Sequence, residues 1–192
     1  MTNPITHLLW GYVLSERLTR EPKYLLLGSF MAILMDVDGA PFSWLPHRGF
    51  MHTPAYLFLI CGLVYVGLRY LPRYHLTHSE AVPIVALCYV TLLSHLVLDT
   101  IGSNWAITWG WPLIDTAFTL GDHISFSSMV VIKLILLCIP LGIVWKKYRE
   151  TGRSPLDLYE YLKGEVGVWK TNALIVLFVV GVGVYYIWPQ VF

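Results

Sequence analysis

AVPIVALCYVTLLSHLVLD, residues 81–99, is the stretch on which the reading of this chain turns. From Ala81 to Leu98 it is apolar apart from a few hydroxyls and His95, and it closes on Asp99. A run of about 20 such residues crosses the hydrocarbon core of a bilayer as a helix, because an isolated strand cannot satisfy its backbone in lipid. His95 and Asp99 are four apart, and helical geometry puts both side chains on one face. Imidazole nitrogen and carboxylate oxygen are ligands for zinc, manganese and iron. Ionisable groups beside a bilayer are costly and are usually kept for function.

The same pattern extends in both directions. Residues 53–71, 127–145 and 171–188 are further apolar runs of spanning length, and residues 5–14 and 24–35 are shorter ones. Pro54, Pro83 and Pro155 sit where helix starts tolerate proline, and Pro140, inside its segment, predicts a kink. The short pair predicts a helical hairpin turning within residues 15–23, broken at Pro22. Residues 39–51 read as a loop, residues 100–122 as a second irregular stretch, and residues 146–170 as a polar connector with a short amphipathic helix near 156–162. The expected fold is all-α: a polytopic membrane helical bundle with about four full transmembrane helices plus an N-terminal short helical hairpin, in one domain over residues 1–192.

Composition agrees. Hydrophobic residues are 56% and charged residues 13%, against roughly 45–50% and about 25% in soluble domains. The formal net charge of +1 gives no reason to expect nucleic acid as a partner. Cys61, Cys88 and Cys138 each lie in an apolar run without CxxC spacing, so they read as small hydrophobes. The N-terminal segment does not read as a signal peptide, because Thr6, His7, Glu16, Arg17 and Arg20 interrupt it.

Antiparallel neighbours bring particular ends together. His47 and His52 precede one span, His95 and Asp99 end the next, and Asp122 and His123 precede the third. With the hairpin turning at the opposite side, His7 and Asp36-Val37-Asp38 reach the same face. Arg17, Arg20, Lys23, Arg69, Arg73, Lys146, Lys147, Arg149, Arg153, Lys163 and Lys170 fall in the opposite connections, and only Arg48 lies beside the candidate ligands. The positive-inside rule then puts the basic loops in the cytoplasm and the metal site on the extracytoplasmic side of the cell membrane.

The candidate metal ligands are His7, Asp36, Asp38, His47, His52, His95 and Asp99. Asp36 or Asp38 suits a general base, His47 a ligand or acid, and Arg48 a phosphate or carboxylate partner through its planar fork. Asp115, Asp122 and His123 are supporting residues or further possible ligands. His75 and His78 lie on the basic side and receive no role, and Ser94 does not point with His95. HExxH, Walker and GxSxG motifs are absent from the sequence. What remains is hydrolysis by metal-activated water. Proton- or ion-coupled transport and a membrane structural or regulatory protein with a purely structural metal are the other classes open.

Thr6-His7 with Gly11, Gly28 to Asp36-Val37-Asp38, His47-Arg48-Gly49 leading to His52-Thr53, and His95 to Asp99-Thr100 followed by Gly110-Trp111-Pro112 occur in that order. In this set, over roughly residues 5–125, the chain resembles the YdjM-like family of membrane-bound, metal-dependent hydrolases. Residues 126–192 supply two further spans and the basic connector. Met35 stands where that family usually has proline, and Thr53 where it usually has serine. The family is distantly similar to zinc-dependent phospholipases C, which implies zinc as the first choice of metal, and a phospholipid or lipid-linked phosphoester as substrate.

Overall fold

The computed structural model describes residues 3–38, 49–103, 106–114, 116–152, 156–173 and 176, and these are almost wholly helical. The N-terminal hairpin is α1 (Pro4–Leu18) and α2 (Pro22–Leu34). Asn3 caps α1 by accepting the Ile5 N–H at 2.8 Å. Pro4 and Pro22 open the two helices, where a missing N–H costs no helical bond. After a 3-10 turn at Met35–Asp38, the described chain resumes at Gly49 with a second 3-10 turn, Phe50–His52. Thr53 then caps α3 (Pro54–Tyr70) by accepting the Tyr56 N–H.

α4 (His78–Gly102) is longer than expected at both ends. It starts before Ala81 because the Glu80 carboxylate accepts both the N–H and the hydroxyl of Thr77, at 2.8 and 2.6 Å, a reciprocal N-terminal cap. Pro83 therefore lies inside α4 rather than at its start. The stretch expected to be irregular is partly ordered: β1 (Ile107–Thr108) pairs antiparallel with β2 (Ala117–Phe118). A 3-10 turn at Leu120–His123 leads into α5 (Phe126–Thr151). Side-chain bonds pin this ladder to the end of α4: Trp109 Nε1 donates to Thr100 Oγ1 at 3.0 Å, and Thr119 Oγ1 donates to the Ser103 carbonyl at 2.6 Å, with the Thr100 carbonyl also within reach at 3.4 Å. α5 stops at Gly152, whose φ of +70° suits glycine. The connector carries α6 (Leu156–Val166). Residues 168–173 are helical again, and the rest of the fourth expected span lies outside the described residues except for residue 176.

α4 is the central post, touched by α1, α2, α3 and α5. Its apolar core joins Met31 and Met35 at the end of α2, Tyr56, Leu57 and Cys61 of α3, and Cys88, Leu92 and Leu96 of α4. α4 and α5 are long and apolar enough to cross a membrane, with mean hydropathy of 2.2 and 2.4 over their best windows. α3, at 17 residues, meets the lower limit for a span. The two long helices differ in setting. α4 is half enclosed by protein, whereas α5 turns Val131, Leu134, Ile135 and Ile139 outward, a surface suited to lipid.

Small residues let α1, α2 and α4 approach closely, as expected where lipid removes the hydrophobic drive for association. A Cβ on Gly11 would stand 2.6 Å from Ala32 Cβ and 2.8 Å from the Gly28 carbonyl oxygen, and a Cβ on Gly28 would overlap Ser15 Oγ. The hydroxyls at this seam bond within their own helices: Ser15 to the Gly11 carbonyl at 2.6 Å, Ser29 to that of Leu25 at 2.8 Å, and Thr91 to that of Leu87 at 3.0 Å.

Pro140 removes an N–H from the middle of α5 and so frees the Leu136 carbonyl four residues earlier. Trp10 of α1 donates its indole N–H to that carbonyl at 2.8 Å. Trp10→Phe should therefore lower stability by about 1 kcal/mol, the cost of leaving a part-buried acceptor without its partner. Pro140→Ala restores the helical donor, and Trp10→Phe should then cost much less. Thermal unfolding of the four proteins in detergent measures this coupling. An equal cost in both backgrounds would show that Trp10 acts by packing alone.

Candidate metal centre

Among the described residues, five ionisable side chains meet at one end of the bundle, each delivered by a helix end. α1 supplies His7 from its first turns, the 3-10 turn after α2 supplies Asp36, the turn before α3 supplies His52, and the last turns of α4 supply His95 and Asp99. His7, His52 and His95 are fully buried, Asp99 is 1% exposed, and the Asp36 side chain is 9% exposed. Ligand atoms of His7, Asp36, His95 and Asp99 all lie within 4.8 Å of one another. His52 joins them, with Nε2 3.8 Å from Asp36 Oδ1, 3.7 Å from Asp99 Oδ2 and 3.1 Å from His95 Nε2.

His95 is oriented from behind. Its Nδ1 lies 2.7 Å from the Ala32 carbonyl oxygen. A carbonyl only accepts, so Nδ1 carries the proton, and in the neutral ring Nε2 keeps its lone pair for the centre of the group. This is the arrangement in which a metal-ligating histidine has its other nitrogen fixed by a backbone carbonyl. The His95 ring also stacks on His7, with centroids 3.8 Å apart and planes at 18°. Two imidazole lone pairs 3.1 Å apart repel, so either a proton on His52 Nε2 or a shared cation stands between His52 and His95.

The donor set fits a divalent cation. His7 Nε2 is 3.4 Å from Asp99 Oδ1, yet neither ring nitrogen of this fully buried histidine makes a hydrogen bond, and neither does the buried Asp36 Oδ2. Buried polar atoms are normally partnered, and a cation coordinated by these lone pairs meets that requirement. Burial pushes the Asp36 carboxyl up, but the imidazoles of His95, His52 and His7 outweigh it and hold the group below the usual carboxylate range.

The residues 1–190 match the family described as YdjM inner membrane protein. This chain belongs to the YdjM inner membrane protein family. Membership and the two long apolar helices place this YdjM-family protein in a membrane. No curated protein and no solved structure matches it.

Of the residues expected at the site, the YdjM-family fold brings together His7, Asp36, His52, His95 and Asp99. Asp122 and His123 stay outside the group. The turn at Leu120–His123 leaves both exposed, and His123 faces the Phe118 ring at 6.2 Å. His47, Arg48 and Asp115, with the side chain of Asp38, lie outside the described residues. The sequence reading missed the backbone of Ala32. It also missed the packing role of Gly11, Ser15, Gly28, Ala32 and Thr91, although each lies on a row spaced by four with a ligand: Gly11 and Ser15 with His7 on α1, Gly28 and Ala32 with Asp36 along α2 and its end, and Thr91 with His95 and Asp99 on α4.

Proposed function

We propose that this protein is a membrane-bound metal-dependent hydrolase that cleaves a phosphoester in a lipid or lipid-linked substrate. The observation that carries the reading is the buried convergence of three imidazoles and two carboxylates, with both ring nitrogens of His7 lacking a hydrogen bond. His7, His52, His95, Asp36 and Asp99 would hold the ion. Zinc suits this mixture of nitrogen and oxygen donors, and manganese and iron suit it too. When bound, such an ion supplies Lewis acidity and lowers the pKa of a water molecule.

The chain's own residues perform the remaining tasks. His95 is held in one tautomer by the Ala32 carbonyl. Asp36, the most accessible of the five, carries a carboxylate oxygen without a hydrogen-bond partner and is suited to take a proton from an attacking water. The β1–β2 turn supports a lipid-borne substrate. It exposes Leu113 at 92% and Ile114 at 60%, and Trp111 touches Phe50, two residues from His52, with ring centroids 5.2 Å apart. An apolar tip beside the site suits contact with lipid.

The distribution of basic residues supports cytoplasmic basic loops and an extracytoplasmic site. The depth of burial favours a second reading, in which the metal only fixes the fold, because closed shells are the mark of structural sites. The discriminating experiment is cleavage of phospholipid and isoprenoid phosphates by metal-loaded protein, read as phosphorylated headgroup from the former and free phosphate from the latter. We expect turnover that is abolished by chelation, restored by added metal and absent in His95→Ala. Stoichiometric metal without turnover on any lipid phosphate would establish the structural reading instead.

A further inference from the structure

At the end of the bundle opposite the metal centre, a cleft of about 680 Å³ opens between α2 and α3, with α4 as its floor. Leu27, Ile60, Val64 and Ile84 form its inner walls. Leu27, Ile60 and Val64 also pack against the buried core, so the cleft is closed toward the metal centre. Leu63 and Leu71 along its length are 60% and 54% exposed, so it is open toward the surroundings of the bundle. Space with apolar walls stays dry and takes apolar ligands, and within a membrane the abundant apolar ligand is an acyl chain.

The mouth of the cleft has a different chemistry. Lys23, Tyr24 and Tyr74 line it, the pairing of cation and tyrosine found where chains meet headgroups. Lys23 is 54% exposed and pairs with the equally open Glu21 at 3.0 Å, an exposed ion pair of the kind that contributes little. A cationic group flanked by two phenols therefore stands at the open end of an apolar slot. That combination is complementary to one amphiphile, an anionic lipid with its phosphate at the rim.

We propose that the α2–α3 cleft binds one anionic glycerophospholipid, with an acyl chain between the helices and the headgroup at Lys23, Tyr24 and Tyr74. This site is separate from the metal centre and does not depend on its chemistry.

Native mass spectrometry of the full chain in detergent tests this, with phosphatidylglycerol and phosphatidylcholine of identical chains in equal amounts. We expect one retained lipid, with phosphatidylglycerol preferred. A Cβ on Gly67, a lining residue, first meets Leu71 Cδ1 at 3.5 Å, so Gly67→Phe places a ring into open space and should abolish retention. Lys23→Gln, an exposed change that leaves the fold intact, should keep a lipid but reduce the preference by about fivefold, as loss of one basic group near anionic lipid implies. Absence of retained lipid in the wild type, equal retention in Gly67→Phe, or an unchanged preference in Lys23→Gln would overturn the proposal. A dimer that Gly67→Phe dissociates would assign the cleft to a second copy of the chain instead.

Discussion

His95→Ala protein, purified from metal-replete cells, is expected to retain almost no metal. This ring takes three parts at once: Nε2 points into the group, Nδ1 donates to Ala32, and its face stacks on His7. Loss of a partner that merely orients a ligand weakens metal binding roughly 10–100-fold, so loss of the ligand itself should exceed that range. Elemental analysis and competition with a chelator of known affinity provide the measurement. His123→Ala is the matched control, because His123 is exposed and outside the group, and it should retain the wild-type amount. Equal metal in the wild type and in His95→Ala would remove His95 from the ligand set and with it the reading of the site.

The second large effect is expected at a residue with no polar side chain. Gly11→Val would drive a Cβ to within 2.6 Å of Ala32 and 2.8 Å of the backbone at Gly28. Neither neighbour can swing away as a long side chain does, so α1 must shift from α2. Overpacking of this kind costs typically 1–3 kcal/mol, and more where backbone must move. His7 lies one turn from Gly11 on the same face, so the shift should also withdraw His7 and reduce metal content. Gly62→Ala and Gly142→Ala are controls with nothing within 4 Å of the added methyl, and each should be neutral or slightly stabilising. Thermal unfolding together with metal analysis tests the pair of effects. A Gly11→Val protein with wild-type stability and metal would show that the seam is looser than its distances.

Much of this was legible in the primary structure for a physical reason. Apolar runs must be helices in lipid, and antiparallel neighbours must alternate their ends, so the meeting of His7, Asp36, His52, His95 and Asp99 follows from run lengths and turns. The spacing of His95 and Asp99 is a property of any helix. Other features were hidden because they use backbone or shape. The Ala32 carbonyl that orients His95 is invisible in a residue type, as is the Leu136 carbonyl that Pro140 frees and Trp10 captures. The start of α4 was misplaced because apolarity begins at Ala81, whereas the helix begins at its polar cap, Thr77 and Glu80. Asp122 and His123 were gathered with the ligands by chain position, but the 3-10 turn holding them faces outward. The β1–β2 ladder has strands of two residues, too short for any alternation to announce them.

The order in which the ligands are made has its own consequence. A chain is synthesised from its N-terminus, so α1 and α2 are complete, with His7 and Asp36, well before His95 and Asp99 exist. Until α4 arrives, the hairpin has neither its central post nor the groups that share its charge, and a carboxylate beside lipid is expensive. The young hairpin is therefore expected to linger at the headgroup level and to sink into place only as α4 comes through, so biogenesis of this protein would hinge on the fourth helix rather than the first.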